Sequence, residues 1–201
     1  MSKVILVLGG ARSGKSTFAE KLAKKIGGSN VTYIATAEAL DQEMEERIAH
    51  HKSQRPMEWE TIEAPTDIYQ AIRGIENSRT VLIDCLTLYL SNRLLKEKPE
   101  GDFDLQRIVK VEEDIIEKIK IILTYARERE IDLIIVSNEV GQGLVPSYEL
   151  GRVFRDISGR ANQYISSKAD EVYLTIAGLP LDLNELNKIT EGNIVKDLGE
   201  I

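Results

Sequence analysis

The sequence has a single cysteine, Cys85, and a single tryptophan in 201 residues. A lone cysteine excludes an intramolecular disulfide and any multi-cysteine metal site, so an ordinary apolar core has to hold the fold. No apolar run approaches the roughly 20 residues that a membrane span requires. The apolar pattern after Met1-Ser2-Lys3 is too short for a secretory leader and lacks a cleavage pattern, which gives the expectation of a cytoplasmic protein. Positive charge is in deficit as well: 26 Lys and Arg stand against 33 Asp and Glu, a formal charge of −7. A protein that grips nucleic acid carries a basic stripe; none is visible, and nucleic acid is set aside as the main partner.

What is present is ordinary for a water-soluble globular chain, with 42% hydrophobic and 29% charged residues. The length suits one domain with a sizeable core, expected over residues 1–201. Apolar runs of strand length alternate with segments of helical period, the pattern of a parallel sheet with crossover helices. Strands are expected at Val4 to Leu8, Val31 to Ala35, Trp59 to Ile62, Val81 to Ile83, Leu133 to Val136 and Val172 to Ile176. Helices are expected at Ser16 to Ile26 (Phe18, Leu22 and Ile26 recurring every four), Asp41 to Ser53, Pro65 to Ile75, from Asp84 through Leu95, Leu105 to Glu128 and Tyr148 to Ser167. Lys96 to Asp104 reads as a loop and Gly178-Leu179-Pro180 as a turn, while the last twenty residues carry little pattern.

Between the first strand and the first helix stands Gly9-Gly10-Ala11-Arg12-Ser13-Gly14-Lys15-Ser16, which fits G-x-x-x-x-G-K-[ST]. Glycines let the backbone curl around an anion without Cβ clashes, so that successive N–H groups point inward. The helix that follows adds its positive end. In this pattern Lys15 reaches the β- and γ-phosphates of a nucleoside triphosphate and the Ser16 hydroxyl ligates magnesium. The expected fold is therefore an α/β P-loop NTPase, RecA-like, with a mostly parallel central sheet flanked by helices. Asp84, closing the strand Val81 to Ile83, stands where a carboxylate serves the magnesium, or where it caps the helix that begins near Leu86. No Asn-Lys-x-Asp guanine-reading tetrapeptide of a GTPase occurs. A small-molecule kinase or transferase is favoured over a switch or a motor.

Both histidines sit together in Arg47-Ile48-Ala49-His50-His51-Lys52. Helical spacing puts His51 on the stripe of Met44 and Ile48, and His50 on the polar side with Glu43, Glu46 and Arg47. A neutral imidazole is a competent nucleophile near neutral pH. Spacing alone favours His50 as a solvated surface residue, and leaves Lys52 and Arg55 readable as polyphosphate contacts or as surface charges.

With these residues assembled, the chain resembles the bifunctional adenosylcobinamide kinase/adenosylcobinamide-phosphate guanylyltransferases over about residues 4 to 178. The resemblance is carried by the phosphate loop, Tyr33-Ile34-Ala35-Thr36-Ala37, Asp41 through Met44, the histidine segment, Arg55-Pro56 with Trp59, and Asn138-Glu139-Val140-Gly141 with Gly143. Val145-Pro146, Phe154-Arg155-Asp156, Gly159-Arg160 and Asn162-Gln163 complete it. It implies that His50 takes GMP from GTP as a covalent intermediate. It also implies guanine-nucleotide contacts at Ala35, Thr36, Ala37, His51, Lys52, Ser53, Gln54, Glu63 and Asp84. GTP, ATP and Mg2+ are implied as cofactors, adenosylcobinamide and its phosphate as partners, and a homotrimer as the assembly. One tension follows. The phosphate loop suits attack at the γ-phosphorus, whereas His50 must reach the α-phosphorus, so either the nucleotide binds in two modes or the helix from Asp41 moves. The rival reading is a nucleotide-dependent switch or binding protein without covalent chemistry.

Overall fold

The computed structural model describes residues 2–39, 42–96 and 105–197. In chain order the elements are β1 (Val4–Gly9), α1 (Lys15–Gly27), β2 (Val31–Ala35), α2 (Gln42–Gln54), β3 (Glu60–Glu63), α3 (Ile68–Arg73) and β4 (Thr80–Asp84). Then come α4 (Leu86–Lys96), α5 (Leu105–Glu128), β5 (Asp132–Asn138), α6 (Glu149–Ser166), β6 (Glu171–Ile176), β7 (Leu179–Asp182) and α7 (Leu183–Asp197). They form one seven-stranded sheet of order β3-β2-β4-β5-β1-β6-β7, parallel throughout except for β7. β1 is interior and buried at every position, as the two-sided apolar run Val4-Ile5-Leu6-Val7-Leu8 demands.

Strand alternation divides the core in two. Leu6, Val81, Ile83, Leu133 and Ile135 face a layer built on α3 to α6, which supplies Ile72, Leu90, Ile115, Ile119 and Ile157. Ile5, Val7, Leu82, Ile134 and Val136 face the other side, where Ala19 and Ala23 of α1 bed down. Small residues on α1 let the helix approach the sheet closely. They are its fully buried apolar positions; of the expected stripe, Phe18 and Leu22 pack half-buried against the same cluster, and Ile26 is exposed. Among the described residues no helix is long and apolar enough to cross a membrane.

The α/β class and the parallel order agree with the sequence reading, and three local expectations need correction. The helix expected from Pro65 begins at Ile68, because Asp67 caps it by accepting the Gln70 amide at 3.1 Å. The expected turn at Gly178-Leu179-Pro180 lies one residue earlier: Ala177 and Gly178 adopt φ of 51° and 83°, and Leu179 and Pro180 already belong to β7. The patternless tail holds β7 and α7, with Asp182 accepting the amides of Asn184 and Glu185 at the start of α7. The loop expected at Lys96 to Asp104 lies, beyond Lys96, outside the described residues, as do Leu40 and Asp41.

Candidate active site

The phosphate loop is set by its neighbours as much as by its own glycines. Arg12 and Gly14 have φ of 57° and 90°. At Gly14 a Cβ would lie 3.1 Å from the Cα of Gly178, so glycine is required twice over there. Gly9 has a similar constraint, since its Cβ would meet the Thr175 carbonyl oxygen at 2.7 Å. The Gly178 amide donates to the Ser13 carbonyl at 2.8 Å. The loop is thus braced from below by the β6–β7 turn. Lys15 is buried and donates to the Gly10 carbonyl at 3.1 Å. Among the described residues no side chain caps α1, which leaves its first-turn amides and its positive end to an anion.

Asp84 closes β4, two strands from β1, and accepts the Tyr33 hydroxyl at 2.7 Å. Among the described residues its carboxylate bonds no α4 amide, so capping is not the role it plays. The Arg55 guanidinium stacks 3.5 Å above the Tyr33 ring, a cation–π contact that fastens the chain just after α2 to β2. Burial first, then the nearby Asp84 charge, raises the Tyr33 hydroxyl far above its ordinary value, so it stays a donor. The same two causes push the Glu20 carboxyl of α1 up to about 7, with Arg55 pulling the other way.

Thr36 joins the two walls. Its Oγ1 donates to the Cys85 carbonyl and accepts the Cys85 amide, both at 2.7 Å. Its amide donates to the Asp84 carbonyl at 3.2 Å, and its own carbonyl accepts Nδ2 of Asn92 at 2.9 Å. All of its polar groups are therefore committed to holding the ends of β2 and β4 in register.

These elements enclose a cleft of about 700 Å³, within the size range of small-molecule sites. Of the expected site residues, Ala11, Lys15, Ser16, Ala35, Ala37, Lys52, Glu63 and Asp84 line it. Gly9, Gly10, Arg12, Ser13 and Gly14 shape the loop behind it, and Thr36 lies buried in its wall. Ser53 is on α2 but does not line the cleft. His50, His51 and Gln54 are in the α2 helix, and their side chains lie outside the described residues. Met44 and Ile48 face the cleft, so the apolar stripe of α2 is a site wall rather than a core seam. Lys52 and Glu63 pair at 2.5 Å across the mouth, and that hydrogen bond holds the Glu63 carboxyl below its usual value.

Sequence reasoning gave no role to Tyr33, Glu20 or Asn138, although Asn138 also lines the cleft. Strand alternation puts Tyr33 on the same face as Ala35, and that was the available signal. For magnesium, the expected oxygen donors, the Ser16 hydroxyl and the Asp84 carboxylate, both line the cleft. Among the described residues no cluster of three or more His, Cys, Asp or Glu forms a cage. That set fits an ion held by one or two protein oxygens and the substrate phosphates.

The family model of the cobinamide kinase / cobinamide phosphate guanyltransferases matches residues 5–183. The chain belongs to this family. A relative in Pseudomonas aeruginosa, the bifunctional adenosylcobalamin biosynthesis protein CobP, is 43% identical over 89% of this chain and 95% of its own. The bifunctional adenosylcobalamin biosynthesis protein CobU of Salmonella typhimurium is 40% identical over 88% of this chain and 97% of its own. Among solved structures, a KaiC-like protein from Pyrococcus horikoshii is similar with a TM-score of 0.47 at 16% identity, covering 86% of this chain and 70% of that one. The family match takes in the whole cleft and the β6–β7 turn beneath the phosphate loop, and it ends as α7 begins.

Proposed function

We propose that this cleft phosphorylates adenosylcobinamide and then transfers GMP from GTP to the phosphorylated product through a covalent GMP–His50. The observation that carries the reading is the meeting of two machineries in one cleft: the phosphate loop with Lys15, Ser16 and Asp84, and the wall of α2, the helix that contains His50. The apolar side chains of Ala35, Ala37, Met44 and Ile48 offer a surface for a base, and Glu63 an acceptor for the amino and imino hydrogens of guanine.

In the first reaction the aminopropanol hydroxyl oxygen of adenosylcobinamide attacks the γ-phosphorus of ATP or GTP. The bond to the β-phosphate oxygen breaks, the diphosphate leaves with that electron pair, and the hydroxyl proton passes to solvent. Lys15 and the first-turn amides of α1 stabilise charge that spreads over the phosphoryl oxygens. Mg2+ held by Ser16 and Asp84 would neutralise part of the same charge. In the second reaction an imidazole nitrogen of His50 attacks the α-phosphorus of GTP, an N–P bond forms, and pyrophosphate departs. A phosphate oxygen of adenosylcobinamide phosphate then attacks the bound GMP, the N–P bond breaks, and adenosyl-GDP-cobinamide is released. Splitting the transfer in two is covalent catalysis by an activated nucleophile. A single nucleotide-binding and transferase domain over residues 1–201 and a cytoplasmic location belong to the proposal on length and composition, and a homotrimer on family resemblance alone.

The test is the intact mass after incubation with GTP and Mg2+. A GMP-sized increment that breaks in acid, resists base and disappears in His50→Asn is expected. His50→Asn should still phosphorylate adenosylcobinamide, since that step uses Lys15 and Ser16. Undiminished labelling of His50→Asn would refute the nucleophile, and no increment with no phosphorylated product would return the chain to the class of nucleotide switches.

A further inference from the structure

Asn138 is the one cleft residue of the Asn138-Glu139-Val140-Gly141 segment, and nothing in the two reactions above uses it. It closes β5, the strand between the phosphate-loop strand and the strand of Asp84, and its register partner on β1 is Gly9, the first residue of the loop. Strand alternation places it on the face of Ile134 and Val136, the face that α1 covers. Its backbone is fixed by side chains from two different helices. The Thr87 hydroxyl of α4 accepts its amide at 3.1 Å, and Asn162 Nδ2 of α6 donates to its carbonyl at 3.2 Å. The next amide, that of Glu139, donates to the Gly9 carbonyl at 3.1 Å.

Against that fixed backbone the side chain stands out. Its Oδ1 is buried and, among the described residues, has no hydrogen-bond partner. Leaving a buried acceptor unmatched costs about 1–3 kcal/mol. A residue whose backbone is held at two points while its side-chain oxygen is left unmatched, in a cleft shared with Lys15, Ser16 and Asp84, is arranged for a group that arrives with the substrate. The orphan is an acceptor, so the missing partner is a donor. Ionised phosphate oxygens offer none, whereas an alcohol does.

Resting on the kinase reading of this cleft, we propose that Asn138 Oδ1 accepts a hydrogen bond from the substrate hydroxyl and aligns its oxygen for attack on the γ-phosphorus. A neutral carboxamide takes no proton; it orients, and the hydroxyl proton leaves to solvent as described above. Misplacing an attacking atom by about 1 Å costs about 10²-fold in rate. The reaction at the α-phosphorus needs no hydroxyl, so guanylylation of His50 does not depend on Asn138.

The experiment compares the parent with Asn138→Ala and Asn138→Leu in three assays: phosphorylation of adenosylcobinamide, GMP-adduct formation from GTP, and thermal unfolding. The expected result is a fall of about 10²-fold in kcat for phosphorylation in both variants, with the nucleotide KM and the adduct rate unchanged. Asn138→Leu should melt at or above the parental temperature, because it removes an unmatched buried oxygen while keeping volume. A structural residue gives another pattern, in which melting temperature and both reactions fall together, and that pattern overturns the assignment. Phosphorylation at the parental rate in either variant overturns it as well. A parent that phosphorylates nothing refutes instead the kinase reading on which the assignment rests.

Discussion

Replacing Thr36 by valine keeps the volume and the strand preference of the position and removes one oxygen. That oxygen makes two bonds of 2.7 Å to the backbone of Cys85, at a site with no solvent exposure. The two losses are unequal. The Cys85 carbonyl keeps the Tyr89 amide at 3.3 Å, so it loses one bond of two, worth about 0.5–1.5 kcal/mol. The Cys85 amide is left without its partner, and an unmatched buried donor costs about 1–3 kcal/mol. Together these make roughly 1.5–4.5 kcal/mol, a large share of the 5–15 kcal/mol typical of a folded domain. At about 2–4 °C per kcal/mol for a chain of this size, the melting temperature should fall by roughly 3–18 °C. Urea unfolding gives the free energy directly. Thr36→Ser is the control: it keeps the hydroxyl, loses one methyl worth about 0.8 kcal/mol, and should sit near the parent. A Thr36→Val protein within about 0.5 kcal/mol of the parent would refute the clasp between β2 and β4. Because the clasp sets where β4 ends, the same variant should also need more Mg2+ for turnover.

Lys15→Ala should abolish phosphoryl transfer to adenosylcobinamide while weak nucleotide binding persists on the loop amides and the α1 terminus; phosphorylation at the parental rate would show that the loop is misassigned. Glu20 gives a pH test in the absence of nucleotide and metal. Its carboxyl, ordinarily near 4.5, is raised to about 7 in the fold. The folded state therefore retains a proton that the unfolded chain has released, and stability falls as pH rises from about 4.5 to about 7, then levels. Glu20→Gln should flatten that part of the stability–pH curve and melt higher than the parent at pH 8; an unchanged curve would mean that the group titrates normally.

The parallel order was legible because β1, β2, β4 and β5 are nearly continuous apolar runs, which only a sheet covered on both faces accommodates. The phosphate loop was legible because strand, glycine turn and helix follow one another locally. Other features were present but misread. The α2 stripe of Met44 and Ile48 has the period of a core face, and periodicity cannot distinguish a core from a cleft wall. In α1 the larger apolar residues drew attention from Ala19 and Ala23, whose smallness decides the packing. The β6–β7 hairpin had its signal in Gly178, a residue suited to positive φ between short apolar segments, and Asp182 marked the start of α7. What no local pattern reveals is contact across long separations: Arg55 on Tyr33, Thr87 and Asn162 on Asn138, and Gly178 on Ser13 and Gly14.

That last contact bears on how the protein comes into being on the ribosome. The motif from Gly9 to Ser16 leaves the ribosome long before its supports: the strands on either side of β1, and the glycine amide that holds Ser13, come from the far half of the chain. At about 5–20 residues per second, roughly 10–30 s of synthesis separate the motif from its brace. During that interval the nascent chain carries the letters of a nucleotide-binding loop without its shape. On the proposed reading, capture of a triphosphate is thereby deferred until the far half of the chain has completed the cleft.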